Sequence, residues 1–144
     1  MSAPEKTENA PREWWPALKT GFACRCPACA EGRMFGSYLK VNANCTACGE
    51  ELHHHRADDA PPYFTIFIVA HIIGAMMLWV EQHNDALPIW IHIAVWPVLT
   101  LALMFWFLPR IKGALVGYQW ALRMHGFETA PASKHIGKII GETA

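Results

Sequence analysis

The chain has 144 residues, 53% of them hydrophobic, with twelve Lys and Arg balanced by twelve Asp and Glu and a mean hydropathy of +0.14. That length allows one domain or two small units, and the apolar share is high for a protein folded around a core in water. Seven bases against eight acids ahead of the first long apolar run leave no electropositive footprint, which argues against nucleic-acid binding.

In chain order, residues 1–12 (MSAPEKTENAPR) are polar and rich in Pro and Glu, the composition of a disordered segment. Trp14 and Trp15 follow, before Pro16, with Leu18 and Phe22 beyond. Paired indoles suit the headgroup zone of a membrane and equally suit packing on a folded neighbour. Residues 1–19 are therefore expected to be a disordered or interfacial segment.

Residues 20–60 carry the sharpest signal. Cys26-Pro-Ala-Cys29 and Cys45-Thr-Ala-Cys48-Gly49 are two CxxC pairs with fifteen residues between the inner cysteines. Each pair can grip one edge of a metal ion, and this separation lies in the range of structural zinc sites. Cys26, Cys29, Cys45 and Cys48 are the expected ligands. Zinc ranks first and iron second, because a rubredoxin-type iron centre uses the same knuckles. Redox dithiols or disulfides are the alternative. Cys24, the fifth cysteine, is not needed by the spacing and reads as a spare. Between the knuckles, AEGRMFGSYLKVNAN predicts a turn and a short strand or hairpin, the usual content of a zinc ribbon whose metal substitutes for a core too small to hold it folded.

After Gly49 comes the run His53, His54, His55. On a strand such residues point alternately to opposite faces, so at most two share one, and solvated or stacked rings are a better reading than a second metal site. Asp58 and Asp59 before Pro61 and Pro62 predict a helix start.

Two apolar blocks then dominate. Residues 63–80 (YFTIFIVAHIIGAMMLWV) and 87–108 (LPIWIHIAVWPVLTLALMFWFL) contain no charged residue. As helices they would reach about 27 and 33 Å, matching a bilayer core of about 30 Å. Residues 61–109 are expected to form a transmembrane hairpin. The connection 81–86 holds two acids and no base, while seven bases precede the first block and five follow the second, so the positive-inside rule places both termini in the cytoplasm. Thiols stay reduced there, which weakens the disulfide alternative.

Within the first block, His71 is a candidate cofactor ligand, since an ionisable residue inside a membrane is a functional hypothesis by default. Its bland reading is a neutral imidazole bonded to a neighbouring helix. Haem shared with His92 is disfavoured within one hairpin, because the two differ in depth by about 6 Å at helical rise. Copper would draw on His71 with Met76 and Met77, residues that more often simply pack. Ala70 and Gly74 form a small-xxx-small pair suited to close helix approach, and Ala94, Val98 and Ala102 make the smooth face of the second helix. Pro97 and Pro109 interrupt the pattern. Beyond Pro109, residues 110–126 place Ile111, Leu115, Tyr118 and Leu122 on one stripe, an amphipathic helix that would lie on the membrane surface or pack on the metal module by that stripe, with Gly126 as its stop. Residues 127–144 read as a flexible tail.

The segments CPAC, GRMFGSYLKV, CTACG, RADDAPPYFTIFIVAH and KGALVGYQWALRMHGFE resemble the bacterial domain of unknown function 983 family of small membrane proteins, over residues 20–128. The resemblance implies a cytoplasmic metal-knuckle module and two spans in the bacterial inner membrane. Such genes often sit in cytochrome c oxidase operons, so it also implies a role in oxidase biogenesis. The expected fold is thus a mainly α membrane protein: a two-helix transmembrane hairpin, an N-terminal zinc-ribbon-like cytoplasmic module and a C-terminal amphipathic helix. Three functions fit it: a non-enzymatic membrane accessory protein docked on a larger complex, plausibly the oxidase or its assembly factors; a metal or haem handling factor; and a membrane thiol oxidoreductase using Cys26 and Cys29. With no nucleophile and base pair, phosphate loop or carboxylate dyad in the sequence, an enzyme is the poorest fit.

Overall fold

The computed structural model describes residues 12–54, 59–84 and 87–127. Its elements run α1 (Trp14–Phe22), β1 (Phe35–Ser37), β2 (Lys40–Val41), α2 (Ala60–His83) and α3 (Ile89–Ala121). The fold is mainly helical, with α2 and α3 long and apolar enough to span a membrane. The expectations for residues 1–11, His55, Asp58 and the tail beyond Phe127 lie outside the described residues.

Helix α2 begins where the sequence placed it. Pro61 and Pro62 fall in its first turn, where a missing N–H costs no helical bond, and Thr65 Oγ1 donates to the Pro61 carbonyl at 2.7 Å. The helix closes with the Asn84 N–H on the Val80 carbonyl. It packs against α3, and Glu81 near its end comes within 3.6 Å of His92 near the start of α3. The outer surface of this pair is apolar. Phe67, Leu78, Trp79, Trp90, Ile93 and Val98 are each at least 60% exposed. Ala70 and the triplet Ala94, Val98, Ala102 also face outward, and nothing lies within 4 Å of the space a Cβ would take at Gly74. The small-residue pair on α2 therefore meets no other helix among the described residues.

Helix α3 corrects the expected architecture. The segment after Pro109 is not a separate amphipathic helix: α3 continues through both Pro97 and Pro109 for 33 residues, about 50 Å at 1.5 Å per residue, and ends at Ala121 rather than near Gly126. Proline at 109 removes the bond that would have used the Phe105 carbonyl. That carbonyl instead accepts from Tyr38 Oη at 3.1 Å, with the two rings tilted together at 6.1 Å between centroids. Termination comes later, by a Schellman turn: Arg123, at φ 55°, donates its N–H to Trp120, and Met124 donates to Gln119.

The face that α3 buries also differs from the expected stripe. Ile111, Gly113, Val116, Gly117, Trp120 and Ala121 are buried, whereas Tyr118 and Leu122 are 38% and 47% exposed. The partner is α1, which straddles the boundary expected at residue 19. Ala17 and Gly21 of α1 lie against Gly117 and Gly113 of α3 so closely that a Cβ at any of the three glycines would overlap the facing backbone carbonyl. Small residues spaced by four on both helices let the backbones touch, and ranking faces by side-chain size misses such a contact. Helix α1 keeps Trp14 and Trp15 half exposed on its other side. The buried core sits at this end of the molecule, where Ala17, Met34, Leu52, Val116, Trp120 and Phe127 surround the cysteines.

Candidate metal centre

Helix α1 delivers the chain to the site through another Schellman turn. Cys24 takes the left-handed position at φ 60°, with its N–H on Gly21 at 2.8 Å and the Arg25 N–H on Thr20 at 2.9 Å. Two knuckles of the same construction follow. In the first, the Ala30 N–H returns to the Cys26 carbonyl at 2.8 Å, and in the second the Gly49 N–H returns to Cys45 at 2.9 Å. Both closing residues need positive φ, 59° at Ala30 and 77° at Gly49. Each knuckle is tied at its base. Cys26 N–H donates to Gly32 and Cys45 N–H to Glu50, beside the bridges Arg25 to Arg33 and Asn44 to Glu51. Between them the expected hairpin forms, with β1 and β2 antiparallel, irregular in register, and joined at Tyr38 and Leu39.

This scaffold brings the four predicted cysteines together. Their sulfurs lie within 4.8 Å of one another, and the contacts Cys26 to Cys48 and Cys29 to Cys45 are both 3.8 Å. A tetrahedral ion with sulfur at about 2.3 Å has edges of about 3.8 Å, so the donor set fits one metal ion. A disulfide needs sulfurs about 2.05 Å apart, and all five cysteines are free. Both short contacts bridge the two knuckles. Cys26 and Cys45 are buried, and a Cβ at Gly32 would overlap the Cys45 Sγ. Glycine there is a requirement of the sulfur cluster.

The electrostatics point the same way. Burial pushes the Cys26 thiol up, and the Cys48 thiol is pushed up to about 11, again chiefly by burial. Burial also raises Cys45, but the N–H groups of Cys48 and Ala47, with the neighbouring thiols, outweigh it and hold that thiol below its ordinary value. Further backbone N–H groups aim at Cys26, from Ala28 and Cys29, and at Cys29, from Gly32 at 3.4 Å. Four thiolates in one partly buried cluster repel each other, so full ionisation here calls for a cation.

A polar anchor that the sequence did not reveal ties this cluster to α3. Glu50, 3% exposed, accepts from Trp120 Nε1 at 2.7 Å, while the Arg12 guanidinium lies 4.3 Å over the Trp120 ring and donates to its carbonyl at 2.9 Å. Burial pushes the Glu50 carboxyl up, against the pull of the Trp120 N–H and Arg12. An acid directly after CxxCG was the available signal, but its partner lies 70 residues away.

The other candidates stand apart. Cys24 is not one of the four clustered sulfurs, and burial raises its thiol. His71 is exposed on α2, its Nδ1 2.7 Å from the Phe67 carbonyl of its own helix and its ring tilted against Phe67 at 4.2 Å between centroids. Among the described residues no group of three ligating side chains includes it. His92 accepts from Trp96 Nε1 at 2.9 Å.

Fold and site together define a helical protein with two long apolar helices and a four-cysteine cluster at one end. The family model DUF983, a protein family of unknown function, matches residues 35–120, and the chain belongs to that family. The match takes in the second knuckle, α2 and α3 as far as Trp120, and begins after the first CxxC pair, a narrower range than the resemblance of the quoted segments. No curated protein and no solved structure matches the chain.

Proposed function

We propose that this is a non-enzymatic integral membrane accessory protein of the bacterial inner membrane, both termini cytoplasmic, in which zinc held by Cys26, Cys29, Cys45 and Cys48 keeps a small module folded on the end of a transmembrane hairpin. The carrying observation is the pair of 3.8 Å contacts across the knuckles, the edge length of a closed four-thiolate site. Bound there, the ion would supply folding energy. Iron suits the same four sulfurs and ranks second. A thiol oxidoreductase ranks behind, because the sulfurs gather as one cluster of four rather than as a single exchanging pair.

The outward apolar surface of α2 and α3 supports a bilayer as their solvent, since a patch of this size in water would be an aggregation site. Trp79 and Trp90 near one end of the hairpin, and Trp106 with Arg110 stacked 3.9 Å over it near the other, match interfacial belts. Uncovered small residues at Ala70, Gly74, Ala94 and Ala102 suit packing against helices of a larger complex. Cytochrome c oxidase or its assembly machinery is the first partner to test, on the resemblance alone.

Elemental analysis of detergent-purified protein should give about one zinc per chain, as a single four-coordinate site requires. Cross-linking and co-purification from native membranes should retain a larger complex. Recovery of the chain alone at every cross-linking condition would overturn the accessory role. A zinc content unchanged by loss of Cys45 and Cys48 would overturn the site.

A further inference from the structure

Just past the second knuckle the chain carries another ligand set. Glu51, His53 and His54 place a carboxylate oxygen and two imidazole nitrogens within 4.8 Å of one another. The strand geometry that would send neighbouring histidines to opposite faces does not apply, because residues 53–54 lie in a turn and their rings meet at 4.0 Å between centroids. His54 Nε2 is 3.0 Å from Glu51 Oε2. Nitrogen and oxygen ligands at about 2.0–2.2 Å from one tetrahedral ion stand about 3.4 Å apart, so this pair needs to open only slightly. The ring of Phe127 meets His54 edge-on at 5.8 Å, and Gly126 leaves room that a Cβ would take from the imidazole. Glu51 is held by its bridge to Asn44, at the base of the second knuckle. His53 is exposed and closes the set from the solvent side.

We propose that Glu51, His53 and His54 form a second metal site, which takes a divalent late transition ion such as zinc or nickel and exchanges it with solvent. Two imidazoles and one carboxylate suit such ions, whereas magnesium and calcium call for an all-oxygen shell. Three protein ligands leave a coordination position open, and the half-exposed turn gives that position access. The four-sulfur cluster, with Cys26 and Cys45 buried and a fourth protein ligand in place, offers no such open position. The two sites thus divide a closed position from an open one, and the open one does not depend on the four-thiolate reading.

The test uses full-length, tag-free protein in detergent, loaded with zinc, freed of excess ion and titrated with Ni²⁺ alone by calorimetry, with zinc and nickel counted after rapid desalting. One nickel per chain should bind beyond the retained zinc, and Mg²⁺ should not compete. His53→Ala and Glu51→Gln should each weaken nickel by at least about tenfold, since even outer-shell changes cost about 10–100-fold at metal sites. His53 is exposed, so its variant should fold, as retained thiolate zinc will show. Absence of a nickel equivalent in the parent protein, or unchanged nickel affinity in both variants, overturns the second site. Loss of zinc with nickel binding intact would overturn only the four-thiolate reading.

Discussion

Helix α3 lives in two surroundings. Over residues 89–108 none of its side chains is buried, with Ile93 and Val98 each 68% exposed, and every buried residue of the helix lies between Ile111 and Ala121. The first stretch is specified by length and apolarity, and many sequences would serve. The second is specified atom by atom, through glycines whose hydrogens face another backbone. Glycine itself shows the contrast: Gly74 on α2 has open space where a Cβ would go, whereas Gly113 and Gly117 have carbonyls. One end of the molecule is written in hydropathy and the other in contacts.

Removing the metal should separate the two most sharply. Apparent binding free energies of structural zinc are about 10–16 kcal/mol, far above what a module of this size holds by packing. Cys45→Ser with Cys48→Ser should lose the ion and, by hydrogen exchange in detergent, strip protection from α1 and residues 110–121 while α2 and residues 89–108 keep theirs. Uniform loss along α3 would show that the helix is one cooperative unit and break the comparison. The glycine contrast comes next. Gly117→Leu must displace the Ala17 carbonyl, an overpacking cost of about 1–3 kcal/mol or more. Gly74→Ala meets nothing and should be neutral or gain up to about 1 kcal/mol of helix propensity. Denaturation midpoints of the two variants measure the difference, and equal shifts would contradict it.

How much of this was legible follows from what a sequence encodes locally. Cys26, Cys29, Cys45 and Cys48 announce themselves because ligand spacing is a short-range property, and charge-free runs announce α2 and α3 because hydropathy needs no partner. The hairpin between the knuckles was readable from alternation. The contact of α1 with α3 was not, because Gly21, Gly113 and Gly117 carry no hydropathy signal and the bulkier Leu115, Tyr118 and Leu122 drew the stripe elsewhere. Pro109 looked like an end because the helix rule is local, while the group that rescues the Phe105 carbonyl lies 67 residues away in Tyr38. Glu50 and Trp120 are a pair of the same kind. A strand would send His53 and His54 to opposite faces, but they lie in a turn, and Phe127 and Gly126, arriving from beyond the far end of α3, pack on the His54 ring.

Smaller changes test those long-range links. Trp120→Phe keeps the ring but removes the N–H on Glu50, leaving a buried carboxylate short of a donor at a cost of about 1–3 kcal/mol. The metal content should stay the same while the denaturation midpoint falls, and an unchanged midpoint would show that the anchor is idle.

The finest probe is Tyr38→Phe. Burial pushes the Tyr38 phenol up, so the hydroxyl stays protonated and donating through neutral pH. Deleting it leaves the ring against Phe105 and takes only the bond, about 0.5–1.5 kcal/mol at a partly exposed site. Global stability should barely move. What should change is local: amide exchange at Arg110, Ile111 and Lys112, the turn that follows Pro109, should quicken several-fold while Val98 to Leu101 keep their rates. That pattern would mean that the tip of the hairpin braces the helix where its two surroundings meet. Unchanged exchange after Pro109 would mean that α3 crosses the boundary unaided, and that the module packs on its end without supporting it.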